Sequence, residues 1–391
     1  MARIKRMARG IFFGLGFASL VAGLGQNPGF AAEPIRIGVL FAHSGPEASI
    51  GASSEPVLRM VVERMNEEGG IARRPLELIE GDTESNPARA LEEARRLCEK
   101  EKAVAILGAL GEGSARAVTS YIEDVAHIPL FLTADGESGP RRWTFGTSER
   151  TSLFVEKILG WLRSRAISRV ALLSAPEGFG EESRKLLREL APKFGLEIIS
   201  EEVFSAADSA STAQLAEIGE RGAQALLCWT TEPKTAAAVA RGLKKLGLAA
   251  PLVLAPGEPA PKYLELAGEA AEGSVTASQR LASPDQFPES SPRGAVIRAF
   301  RRLCESARQG EGPQPPDALS GAAWDAAYML TNALREAGTD PEALKGALEG
   351  MKGFLGVGGV YNLSPEDHGG LGADSLAILT VEKGKWVLLS P

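Results

Sequence analysis

Catalysis needs groups of complementary type held close together, and this sequence supplies few of them. Its three histidines (His43, His127, His368) and three cysteines (Cys98, Cys228, Cys304) are scattered along 391 residues. No spacing among them suggests a metal site or a redox pair, so no metal is expected. The strings that mark activated nucleophiles and phosphate or dinucleotide loops are also missing. There is no G-x-S-x-G elbow, no G-x-x-x-x-G-K-[ST] loop and no H-E-x-x-H helix, and no G-x-G-x-x-G follows the first strand. The sequence predicts a protein that is not an enzyme, with no catalytic residues and no cofactor. What remains is a set of carboxylates, hydroxyls, glycines and aromatics on loops, suited to holding a small molecule.

Those loops are positioned by short strands alternating with longer amphipathic stretches, the pattern of parallel sheets covered by helices. Strands are predicted at 35–41, 76–79, 103–107, 169–173, 196–199, 225–228, 376–381 and 386–389. Helices are predicted from 57, after Asn86-Pro87, near Gly180 and Thr212, and over 296–304 and 318–334. Within the helix after Asn86-Pro87, Glu92 and Arg96 stand four apart and read as a surface pair. The glycine-rich stretch 353–372 reads as turns. A single core would be overstretched at this length, since cores stop growing at roughly 250–300 residues. Two α/β lobes are expected, Rossmann-like, with parallel-type sheets flanked by helices.

The first residues read as an export signal. Arg3, Lys5, Arg6 and Arg9 precede an uncharged, mostly apolar run from Gly10 to Leu24. That run is about 15 residues, short of the roughly 20 a membrane-spanning helix needs. Cleavage after Ala31 leaves Ala31 and Gly29 at the positions a signal peptidase prefers small; cleavage after Ala32 would put Phe30 at one of them. Residues 1–31 are therefore read as the signal peptide, and no cysteine near the junction offers a lipid anchor. Its removal takes the formal net charge from −7 to −11. The acidic balance argues against nucleic-acid or anionic-membrane partners; the export signal places the mature chain in a periplasm, and a monomer is expected. The cysteines read as buried and structural.

In open parallel sheets, ligands meet the loops beyond the carboxyl ends of strands. Here these are Ala42 to Pro46, Gly108 to Ser114, Ala175 to Gly180 and Trp229 to Pro233. Around them the chain resembles the type I periplasmic solute-binding proteins of ABC importers, the leucine/isoleucine/valine-binding family. The likeness rests on Ile37-Gly38-Val39, Ser44-Gly45-Pro46 with Gly51, and Asn66 with Gly69-Gly70-Ile71. It continues through Asp82, Asn86-Pro87, Ala90, Ile106-Leu107-Gly108, Phe179-Gly180-Glu181, Gly195, Ala267-Gly268 and Glu272-Gly273. The resemblance implies three hinge crossings, near 147, 277 and 371. One lobe would then comprise 32–147 with 278–371, and the other 148–277 with 372–391. It also implies a small-molecule ligand held between the lobes and an ABC permease as partner. A sensory role with a receptor or regulator would use the same cleft.

The resemblance further implies where ligand is held. In the first lobe it points to Glu112, Gly113 and Ser114 and to Ala134, Asp135 and Gly136. In the second it points to Phe179, Trp229, Thr231 and Glu258, with Pro256 at the aligned place of the residue that pairs a ligand ammonium. Glu112 stands where the family usually offers a hydroxyl, and with Asp135 it would oppose a ligand carboxylate. Either Glu112 turns outward and the amides of Gly113 and Ser114 receive an anion, or the ligand is cationic or polar. Ile50, in place of a polar aromatic, points to a larger or more apolar ligand. His43 reads as packing or surface, and Ser44 as shaping its turn.

Overall fold

A computed structural model describes residues 32–108, 111–133, 141–176, 179–204, 212–257, 260–282, 290–306 and 317–389. The expected signal peptide lies outside them. The first strand, β1 (Ile35–Phe41), is an apolar run buried throughout except at Arg36, as a strand covered on both faces must be. It pairs in parallel with β2 (Leu76–Asp82), in register from Ile35 opposite Leu76 to Phe41 opposite Asp82. On its other side lies β3 (Ile106–Gly108), with Gly38 opposite Ile106. Then come β4 (Leu130–Leu132) and β5 (Thr144–Gly146), completing a five-stranded parallel sheet of order β2-β1-β3-β4-β5. The last two strands have only three residues each and are not among those read from sequence.

Between these strands run α1 (Ala48–Glu67), α2 (Pro87–Arg95) and α3 (Glu112–Tyr121). α2 and α3 cover one face through Ala90, Ala94, Ala115 and Val118, which pack on Leu40, Ile106 and Leu130. The opposite face carries α1 together with α10 (Ala318–Ala337) and α11 (Pro341–Glu349), two helices from late in the chain.

The second sheet has seven strands. β6 (Arg169–Ser174), β7 (Glu197–Val203), β8 (Ala225–Trp229), β9 (Leu252–Leu254) and β10 (Val275–Gln279) run parallel. β13 (Leu376–Glu382) and β14 (Lys385–Leu388) join antiparallel at the β10 edge, as a hairpin whose two-residue turn suits that geometry. The order is β14-β13-β10-β9-β8-β6-β7. Alternation along β8 sends Ala225, Leu227 and Trp229 to the face covered by α4 (Thr151–Ser164) and α5 (Phe179–Leu190). Leu226 and Cys228 point to the face under α6 (Thr212–Glu220), α7 (Pro233–Leu246) and α8 (Pro261–Ala267).

After β10 the chain returns to the five-stranded half with α9 (Pro292–Ser306), α10 (Ala318–Ala337) and α11 (Pro341–Glu349). Ala323, Ala326, Met329, Leu330 and Leu344 pack there against Ile37, Val39, Leu58 and Val61. The stretch read as turns contains an antiparallel pair, β11 (Lys352–Leu355) and β12 (Val360–Asn362), whose Tyr361 is fully buried. The chain thus passes between the two sheets three times: between β5 and α4, between β10 and α9, and between β12 and β13. Among the described residues no helix is long and apolar enough to cross a membrane.

Candidate functional site

The loops named from sequence follow the carboxyl ends of the parallel strands β1, β3, β6 and β8. After β1, the chain is fixed by Asp82 at the end of β2, whose carboxylate accepts the backbone N–H groups of Glu84 at 2.9 Å and His43 at 3.1 Å. These bonds, the Glu84 one foremost, hold the Asp82 carboxyl below its ordinary range. Ser85 Oγ donates to Ser44 O at 2.5 Å and receives Glu47 N at 3.0 Å, so the Ser-Gly-Pro turn is tied to the start of α2.

At the start of α3 the two readings of Glu112 separate. Its side chain is 88% exposed and pairs with Arg116 at 3.4 Å along the helix, so it turns to solvent. Gly113 lies against Pro87, which a Cβ would approach at 3.1 Å. Ser114 is fully buried, and its hydroxyl donates to Glu47 Oε2 at 3.2 Å. Gly111, just before the helix, has no Cβ; one placed there would sit 2.2 Å from Glu47 Oε1. A carboxylate therefore does lie at this helix start, and it belongs to Glu47, a residue that sequence reading passed over. No local pattern announces it, because the contact joins positions 67 residues apart.

Thr133, at the end of β4, is buried and bonds through its N–H to Gly108 O at 3.0 Å, joining the two loop origins. Ala134, Asp135 and Gly136 lie outside the described residues, as does Glu258. In the seven-stranded half, Phe179 opens α5, as the sequence predicts of a loop residue after β6. That loop is clamped by Arg184, whose guanidinium donates to Ser174 Oγ at 2.8 Å, Ala175 O at 2.6 Å and Pro176 O at 3.1 Å. Trp229 is completely buried among α4, α5 and the sheet, a core residue, whereas Thr231 is exposed on the loop that follows.

Where the chain crosses between sheets, buried polar groups meet. Gln279 Nε2 donates to Glu149 Oε2 at 2.6 Å, joining the first two crossings. Burial pushes the Glu149 carboxyl up to about 7. Asp325 on α10 receives Val357 N and Gly358 N, each at 2.7 Å, and its Oδ2 lies 2.9 Å from the Tyr361 hydroxyl. Burial raises its carboxyl to about 6. Arg293 donates to Ser375 O at 2.9 Å, tying α9 to the third crossing.

The histidines have ordinary roles. His127 stacks on Trp143, and His368 stacks on Phe145 at 4.2 Å with its ring nitrogens near Thr144 O and Glu349. His43 is exposed and lies 3.2 Å from Glu55; Glu80 completes a group with metal-like spacing. The Arg59 guanidinium bonds both carboxylates, so one of their two negative charges is already offset.

The comparisons with known proteins agree with this architecture. The periplasmic binding protein family pattern matches residues 34–385. A Leu/Ile/Val-binding protein homolog from Brucella abortus is 35% identical over 111 residues, 28% of this chain and 27% of the relative. The chain thus spans about a quarter of the length of such curated relatives. An amino acid binding protein from Pseudomonas aeruginosa is 23% identical over 59% of this chain and 62% of its own. Among solved structures, a putative branched-chain amino acid ABC transporter protein from Rhodospirillum rubrum superposes with a TM-score of 0.77 at 20% identity, covering 91% of this chain and all of that one. A substrate-binding protein from Streptococcus pneumoniae, solved with isoleucine, gives 0.62 at 20% identity over 92% and 100%. With its two sheets, its three crossings and a family match along nearly all of the described chain, the protein belongs to the type I periplasmic binding proteins of the leucine/isoleucine/valine-binding kind.

Proposed function

We propose that the protein is the periplasmic solute-binding component of an ABC importer. In this reading it takes up a small organic solute, of the amino acid, amide or aromatic acid class, between two lobes and delivers it to a membrane permease. The lobes are 32–147 with 278–371 and 148–277 with 372–391. One observation carries the reading: the chain, of a family whose members bind solutes, crosses three times between two sheets. A solute touching loops of both lobes at once favours the closed arrangement, and the hinge makes that arrangement accessible. Candidate contacts are Gly113, Ser114, Ala134, Asp135 and Gly136 from one lobe, and Phe179, Thr231 and Glu258 from the other.

The test is a metabolite screen by thermal shift, followed by small-angle scattering of the hits. A solute at 100 times its Kd stabilises the folded state by about 2.7 kcal/mol. It is expected also to reduce the radius of gyration. A broad library that changes neither melting temperature nor scattering would overturn the reading.

A further inference from the structure

The first lobe carries its own carboxylate at the place where an anionic solute would be received. Glu47 ends the loop after β1, and its side chain reaches across to the start of α3, where Ser114 Oγ donates to Oε2 at 3.2 Å. Among the described residues no Lys, Arg or His pairs with Glu47. Its stabilisation comes from the Ser114 hydroxyl and from the positive end of α3, whose preceding residue Gly111 supplies no side-chain cap. The approach depends on Gly111 being glycine, since a Cβ there would lie 2.2 Å from Oε1. Glu112, the acid that local sequence places here, is turned to solvent and paired with Arg116. The position is thus shaped to admit one carboxylate, and Glu47 fills it.

We infer that Glu47 is a specificity-determining residue that occupies the anion position at the start of α3, so that the solute meets this lobe through a neutral or cationic head, an amide or amine, and not through a free carboxylate. A second carboxylate in the same place would meet like charge and compete for the Ser114 hydroxyl. The remaining lone pairs of Glu47 are acceptors for an N–H of the solute. The inference rests on the solute-binding reading above and narrows the solute class within it.

The test is rescue by a small carboxylate. In Glu47→Ala and Glu47→Ser the position is emptied, and sodium acetate in the millimolar range is expected to raise the melting temperature saturably by several degrees over matched sodium chloride. The wild type should show no such rise. Adding Ser114→Ala to Glu47→Ala should abolish the response. If Glu47→Ala is unfolded in chloride, recovery of its circular dichroism in acetate is the same result. No acetate-specific response in either variant, or an equal response in the wild type, overturns the inference. As a second arm, Glu47→Gln is expected to shift the affinity ratio of L-leucine to L-leucinamide at least tenfold toward the acid; an unchanged ratio also counts against it. The two proposals fail separately. A wild type that closes on no metabolite strikes the importer reading and leaves the acetate result standing, while absent acetate rescue strikes only the role of Glu47.

Discussion

Single side chains here do work that their neighbours in sequence do not reveal. Asn86 is a readable exception: it precedes Pro87 and caps α2, its Oδ1 accepting Ala88 N at 2.9 Å and Arg89 N at 3.2 Å. Asn86→Ala should cost about 1 kcal/mol, measured by urea denaturation. Glu149 gives a second prediction. The folded state keeps its proton up to about pH 7, because burial disfavours the charge, while the unfolded chain releases it near 4.5. The folded state therefore binds more protons between those values, and stability falls as pH rises through that window and levels off above it. Asp325, raised to about 6 from 3.8, adds a fall over the lower part. Glu149→Gln keeps an acceptor for Gln279 and removes the titration. It should flatten the melting temperature against pH between about 4.5 and 7 and raise it above pH 7; a slope equal to the wild type's would show that the buried carboxyl does not control it.

At the scale of elements, periodicity located most strands and helices but not their ends. α2 shows why. Glu92 and Arg96 are four apart, yet Glu92 pairs with Arg89 at 2.8 Å and Arg96 with Glu93 at 2.8 Å. A π-helical turn over Arg96–Lys100 changes the angular phase where the expected pair would have formed, and it leaves Glu93 buried between two arginines. β8 is the other instructive element. Its burial on both faces makes Trp229 core, so Trp229→Ala should cost about 3–5 kcal/mol of stability. Calorimetric unfolding reads this directly. A variant of undiminished stability that had lost only solute affinity would instead place the indole in the cleft.

For the molecule as a whole, three thiols without a disulfide among the described residues mean that stability comes from the two cores. Cys228 and Cys304 are buried and Cys98 partly so, and burial pushes the Cys98 and Cys228 thiols up to about 12. A thiol reagent at neutral pH is expected to label all three only after guanidinium unfolding; rapid labelling of the native protein would show that the cores open. The sequence by itself determined the α/β class, most strand and helix positions and the family likeness, because apolar periodicity, glycine turns and motif order are local properties of the chain. Only the tertiary structure decided that Trp229 belongs to a core, that Glu112 faces solvent and that Glu47 lies at the start of α3. The physical reason is that each outcome depends on which distant segment packs against the residue: α4 and α5 over Trp229, and the loop after β1 over the start of α3. The buried group at the crossings is of the same kind, since Glu149 meets Gln279 only when chain 130 residues away returns to its side.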